Sequence, residues 1–186
     1  GPMAGPAFPT SPIGCLFSDF FRANTLKADL SISVTELGSL LDPAGPHLEA
    51  EEYIARTFGA EQSYMVTNGT STSNKIVGMV SAPAGSTVLV DRNCHKSLTH
   101  LLMMSDLIPI WLKPTRNALG ILGGIPKRES TRESIALKVA ETPRASWPVH
   151  AVFTNSTYDG LLYNTRYIKE TLDVPSLSFD SAWAPY

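Results

Sequence analysis

Short apolar runs rich in β-branched and aromatic residues recur along the chain at 63–67, 87–90, 108–112, 149–154 and 176–179, each bounded by Gly, Pro, Asn, Asp or Ser. Between them lie longer stretches whose apolar residues fall three and four apart, at 72–80, 96–105, 131–141 and 165–172. The first pattern predicts strands and the second amphipathic helices, so the chain reads as repeated strand-then-helix units. Such units form a mostly parallel sheet with helices on both faces and right-handed crossovers, which makes the fold class α/β.

The opening of the chain differs. Residues 1–33 carry Pro2, Pro6, Pro9 and Pro12, followed by the aromatic patch Phe17, Phe20 and Phe21. That composition predicts an irregular linker that docks on another surface. A helical pattern runs from Glu36 through Leu37, Leu40 and Leu41 to Asp42-Pro43, and a second spans 49–58 with Gly59 as its C-cap. The predicted organisation is a linker at 1–33 and the N-terminal portion of one α/β domain at 34–186. The Pro/Gly-rich start, and a final strand set just before Ala184-Pro185-Tyr186, predict an internal piece of a longer protein.

Composition narrows the function classes. Of 186 residues, 43% are hydrophobic and 17% charged, as in a globular protein, and 15 basic against 17 acidic residues provide no basic field for nucleic acid. Every apolar run is broken well short of the roughly 20 residues a membrane-spanning helix needs, and the opening lacks the features of a secretory signal. Cys15 and Cys94 are far apart, with no Cys-x-x-Cys spacing, which predicts two unbridged thiols in a reducing cytoplasm.

Candidate chemistry sits in the polar turns that follow the strands. Asn68-Gly69-Thr70-Ser71 lies between a strand and a helix, where free N–H groups and the helix dipole attract an anion; a plain helix N-cap explains the same residues. A Walker loop is excluded, because Lys75 lacks the preceding Gly and the full loop length. His95, after the strand at 87–90, can lie flat on an aromatic cofactor or act as a cap. Lys96 beside it opens a helix, and nothing there desolvates it toward a nucleophilic amine.

Asp180 ends the strand Leu177-Ser178-Phe179 and can pair with a protonated pyridine nitrogen; no cluster with metal-ligand spacing accompanies it. Thr154-Asn155-Ser156-Thr157-Tyr158-Asp159-Gly160 supplies hydroxyls at the same edge, within reach of a ligand oxygen, or else is only a turn set by Asp159-Gly160. Together the phosphate cup, imidazole and carboxylate suggest pyridoxal phosphate.

In order along the chain, Leu37-Gly38-Ser39-Leu40-Leu41-Asp42, Val66-Thr67-Asn68-Gly69-Thr70-Ser71, Asp91-Arg92-Asn93-Cys94-His95-Lys96-Ser97, Thr157-Tyr158-Asp159-Gly160 and Phe179-Asp180-Ser181-Ala182-Trp183 resemble the bacterial ornithine, lysine and arginine decarboxylases. Ser31-Ile32-Ser33-Val34, the run from Met65 to Thr72 and the run from Ser81 to Thr87 resemble the lysine branch of enteric bacteria. The resemblance implies the aspartate-aminotransferase-like fold, with this chain as the N-terminal part of its pyridoxal-phosphate-binding major domain.

By the same resemblance, Gly69, Thr70 and Ser71 would bind the cofactor phosphate, His95 would stack on its ring, and Asp180 would pair with its nitrogen. Thr157 and Trp183 would complete the pocket, with His95 and Asp180 as the catalytic pair. The family's Schiff-base lysine, in a Ser-x-His-Lys segment, has no counterpart here and would lie some thirty residues past Tyr186.

The implied activity is decarboxylation of a small basic amino acid, L-lysine to cadaverine and CO2. The proton consumed links this polyamine-forming lyase to acid stress. The implied setting is cytoplasmic, in a homodimer assembling to a decamer, with this chain alone inactive. The residues themselves leave open an arginine or ornithine substrate, another reaction of the same cofactor such as aminotransfer or elimination, and a non-catalytic binding module.

Overall fold

The computed structural model describes residues 10–27 and 34–183, which fall into two compact units, one up to Met65 and one from Val66 onward. The first unit contains α1 (Pro12–Lys27), a 3-10 turn at Thr35–Leu37, and α2 (Gly45–Phe58). Helix α1 replaces part of the irregular linker predicted over 1–33. Pro12 stands at its first position, where a missing N–H costs nothing, and the Phe17 and Phe21 rings, one turn apart, lie 4.5 Å from each other. Helical geometry breaks at Arg22, with φ 67° and ψ 157°. The linker expected at 1–9 and 28–33, the Ser31-Ile32-Ser33 similarity and the Ala184-Pro185-Tyr186 end lie outside the described residues.

The helix predicted from Glu36 to Leu41 is only the single 3-10 turn. Gly38, at φ 72°, donates its N–H to the Thr35 carbonyl and ends it. A Cβ at Gly38 would collide with the Ala44 backbone, so only glycine fits this turn. Helix α2 starts earlier than predicted because Pro46 supplies a helical φ in its first turn, and it ends at Gly59, a left-handed C-cap as expected. The strand predicted at 63–67 has no ladder partner among the described residues; the Met65 N–H donates instead to the buried Glu51 carboxylate, 2.9 Å away.

In the second unit, β1 (Thr87–Asp91), β2 (Ile108–Leu112), β3 (His150–Thr154) and β4 (Ser176–Asp180) form one sheet in the order β2-β1-β3-β4. All its pairings are parallel. Helix α3 (Thr70–Ser81) precedes β1, α4 (Lys96–Met104) joins β1 to β2, α5 (Arg132–Glu141) joins β2 to β3, and α6 (Thr165–Thr171) joins β3 to β4. These boundaries agree with the predicted ones to within two residues. Strand β4 stands at the edge of the described sheet, so its residues before Asp180 are half-buried where the apolar run predicts burial.

The two-residue alternation of strands divides the core between two faces. Val88, Val90 and Val152 pack with Leu98, Leu101 and Leu102 of α4 on one side. Leu89, Ile110, Ala151 and Phe153 pack with Ile135 of α5 and Leu172 after α6 on the other. Each fully buried Leu, Ile, Val or Phe stabilises the fold by about 1.5–3 kcal/mol, so the sheet and its two helical layers hold the site rigidly. Gly78 lets α3 approach α4, since a Cβ there would strike the Leu101 side chain. His150 is 1% exposed, with its Nδ1 2.9 Å from Ser176 Oγ and its Nε2 3.1 Å from Ser178 Oγ.

Two outcomes test this packing. Gly78→Ala should destabilise the fold by about 1–3 kcal/mol through overpacking, read as a lowered urea midpoint with unchanged slope. Burial holds His150 below its ordinary pKa against the opposing effect of a hydrogen bond that the ring donates to the Ser176 backbone. The unfolded chain therefore takes up a proton that the folded one refuses. This contribution is fully present above about pH 6.5 and is lost as pH falls below it. Unfolding midpoints measured from about pH 7 to about pH 5 should fall more steeply for the native sequence than for His150→Gln.

Candidate functional site

Strand order creates the crevice. From β1 the chain passes through α4 to β2 on one flank, while β3 lies on the other, so the turns leaving β1 and β3 part at their C-terminal ends. Open α/β sheets bind ligands at this kind of switch point. Below it, the fully buried Asp91 carboxylate accepts from the Asn93 N–H at 2.8 Å and from the Thr154 N–H at 3.4 Å. The Thr154 hydroxyl donates to the Asn93 carbonyl at 3.3 Å. These bonds stitch the tips of β1 and β3 together beneath a cleft of about 160 Å³.

Four chain segments meet at this cleft. Thr70 and Ser71 line it from the start of α3, behind Gly69 at φ 78°; no side chain caps that helix, so its first N–H groups are open to a ligand anion. His95 lines it after β1 and Asp180 at the tip of β4. Thr154 lines it at the tip of β3, Ser156 and Tyr158 after that strand, and Ala182 and Trp183 after β4. The Tyr158 and Trp183 rings meet edge to face, with centroids 5.3 Å apart, and form an aromatic wall at the mouth.

Most residues predicted from the sequence converge here. Gly69 shapes the turn without lining the cleft. Thr157 does not face the cleft: it is 2% exposed, and its Oγ1 accepts from the Leu161 N–H at 3.1 Å. Asp159-Gly160 lies in a turn, as one reading of 154–160 expects, with Gly160 at φ 79°, and Ser156 and Tyr158 on either side of Thr157 line the cleft. His95 caps α4, its Nδ1 accepting from the Ser97 N–H at 3.2 Å, and it also lines the cleft. Lys96 is exposed on the first turn of α4, as expected for a solvated lysine.

Asp180 is 8% exposed, and its carboxylate accepts from the Asn74 side-chain amide at 2.8 Å and from the Ala182 N–H at 3.3 Å. None of the ion pairs among the described residues includes it. A nearly buried carboxylate without a cationic partner is suited to meet a cation or an N–H from a ligand.

Asn74 and Ser97 escaped the sequence reading. Asn74 follows Thr70 by one helical turn and so shares its face, and Ser97 follows a capping His by two; either spacing was a usable signal. Neighbouring titrations follow from burial. Asp91 is raised above the ordinary carboxylate range by burial, against the N–H groups of Asn93 and Thr154. The Cys94 thiol is pushed up to about 11, first by burial and then by the negative charge of Asp91.

All 186 residues match the family model described as the Orn/Lys/Arg decarboxylase major domain. The chain belongs to this family. It is 78% identical over its whole length to the constitutive lysine decarboxylase of Escherichia coli K12, of which it covers 26%, and 72% identical to the inducible lysine decarboxylase of the same organism, again covering 26%. The solved structure of the E. coli constitutive enzyme superimposes on the whole chain with a TM-score of 0.91. That of the Francisella novicida lysine decarboxylase LdcF does so too with a TM-score of 0.91, at 59% identity and over 26% of its length. The chain thus spans about a quarter of the relatives it matches.

The Cys94 environment yields a chemical test. A pKa near 11 instead of 9.0 leaves the thiolate roughly a hundredfold scarcer at neutral pH. Iodoacetamide should therefore modify Cys94 far more slowly in the folded protein than in urea, as followed by peptide mass spectrometry.

Proposed function

We propose that this member of the Orn/Lys/Arg decarboxylase family supplies one half of a pyridoxal-phosphate site that removes the carboxyl group of L-lysine, giving cadaverine and CO2. The activity is that of a protein in which this segment is continued as in the lysine decarboxylases it resembles. The observation that carries the reading is the unpaired Asp180 carboxylate, facing the same cleft as an uncapped helix N-terminus and an imidazole. These three features correspond to the three parts of the cofactor: a ring nitrogen, a phosphate and a flat aromatic face. The substrate assignment rests on the lysine decarboxylases at 72 and 78% identity.

The residues fit that group. The open N–H groups at the start of α3, with the Thr70 and Ser71 hydroxyls, would take the phosphate dianion, helped by the positive end of the helix dipole. His95, its Nδ1 tied down by Ser97, would present its face to the ring and fix the orientation of the ring in the cleft. Asp180 would hold a proton on the ring nitrogen; a unit-charge pair near 4 Å is worth roughly 4 kcal/mol at an effective dielectric of about 20, before desolvation. Tyr158 and Trp183 would exclude water at the mouth. The bound cofactor supplies an electron sink for the pair left when CO2 departs.

Thr157 would act through the turn it closes with Leu161, and Gly69 through the backbone opening it gives the phosphate. No Ser-x-His-Lys segment occurs in this chain, so residues 34–186 are read as the first portion of the cofactor domain, inactive without the lysine that anchors the cofactor. A cytoplasmic, acid-stress enzyme assembled from dimers into a decamer completes the reading; this part rests on the family resemblance, and no helix among the described residues is long and apolar enough to cross a membrane.

The full-length protein, supplied with pyridoxal phosphate, should release CO2 from L-lysine in preference to L-arginine and L-ornithine. Asp180→Ala should lower kcat by roughly a hundredfold or more, as expected when a group that stabilises developing charge is removed. Keto-acid release in place of CO2, or near-normal turnover in the variant, would refute the reading.

A further inference from the structure

Asn74 is half-buried, and its amide group bridges two acceptors, Asp180 Oδ2 at 2.8 Å and Ser97 Oγ at 3.0 Å. An ionised carboxylate only accepts, so the NH2 end of the amide must face it, and its two hydrogens serve the two oxygens. Ser97, 1% exposed, then has its own hydroxyl proton left for His95 Nδ1, 3.0 Å away, and its backbone N–H points to the same nitrogen at 3.2 Å. With Nδ1 accepting, the neutral imidazole carries its proton on Nε2. The bonds therefore diverge from Asn74, which donates to Asp180 on one side and to Ser97 on the other, and Ser97 in turn donates to His95, so that each donor meets an acceptor. They join the tip of β4, helix α3 and the start of α4.

We propose that Asn74 and Ser97 are positioning residues for the cofactor site, holding the Asp180 carboxylate and the His95 ring in one fixed relative orientation. The inference rests on the pyridoxal-phosphate reading of the cleft. Without Asn74 the carboxylate can rotate and Ser97 loses the donor that orients its hydroxyl, so the two groups that would contact the ring nitrogen and the ring face become independent. A polar network of this kind acts as a unit, and removing its middle member disturbs both ends.

The test uses the full-length protein stripped of cofactor and titrated with pyridoxal phosphate. It reads the dissociation constant, the visible circular-dichroism band of the bound cofactor and the thermal midpoint of the apo form. Asn74→Ala should weaken binding roughly ten- to a hundredfold, the range for losing a hydrogen bond to a charged group, and shift the band. Ser97→Ala should shift the band with a smaller loss. Asn74→Leu keeps the volume and removes the donor without adding a charge, so it should lose about as much affinity as Asn74→Ala while its apo midpoint stays near that of the native protein. Native affinity and an unchanged band in both Asn74 variants overturn the proposal. So does a loss of affinity that only follows a fall in apo stability, which would make the network a tie between helices. If the native protein itself takes up no pyridoxal phosphate, the functional reading fails first.

Discussion

The parallel pairing of β1 with β3, stitched at its end by the buried Asp91 carboxylate, is the constraint on which the site depends. In a parallel sheet every strand finishes at the same edge, so each following turn delivers its side chains to one side of the molecule. β1 sends its chain to β2 on one flank while β3 occupies the other, and the edge opens between them. Asp91 draws N–H groups from the turn after β1 and from the last residue of β3, and Thr154 returns a bond to Asn93. These donors offset part of the cost of burying that carboxylate, and the result is a floor that cannot widen without exposing it.

Above the floor, the chemistry divides by segment. Helix α3 contributes backbone N–H groups and a dipole, the turn after β1 an imidazole, and the tip of β4 a carboxylate without a counter-ion. Helix α3 packs on α4 over the Val88, Val90 and Val152 face of the sheet, whereas Leu177 and Phe179 of β4 pack on the opposite face with Ile135 of α5 and Ile168 of α6. The Asn74 and Ser97 bonds cross between these elements, which independent packing alone would leave without a common register.

Much of this was legible along the chain. Runs such as Thr87-Val88-Leu89-Val90 are too short and too β-branched for helices, and their boundaries matched the structure closely because nearby Gly, Pro and Asp residues end them. Prediction failed where local signals compete. The Pro-rich opening outweighed the helical spacing of Phe17 and Phe21, although Pro12 sits where a helix tolerates it. Leu37, Leu40 and Leu41 imitated a helical stripe that Gly38 cuts short. At 63–67 a strand-like composition had no ladder among the described residues to join, and Met65 turned to Glu51 instead.

The sequence by itself determined the α/β alternation, the placing of Thr70, Ser71, His95 and Asp180 at the ends of elements, and a resemblance strong enough to name a family. These are local properties: apolar period, turn chemistry and motif order need no partner to be read. Only the tertiary structure decided which hydroxyls after β3 face the cleft, turning Thr157 inward to Leu161 while Ser156 and Tyr158 line the opening. It alone also brought Asn74 to Asp180, 106 positions apart in the chain. Contacts of that kind are set by strand order and helix approach, where a glycine such as Gly78 or a buried carboxylate such as Asp91 fixes distances between elements.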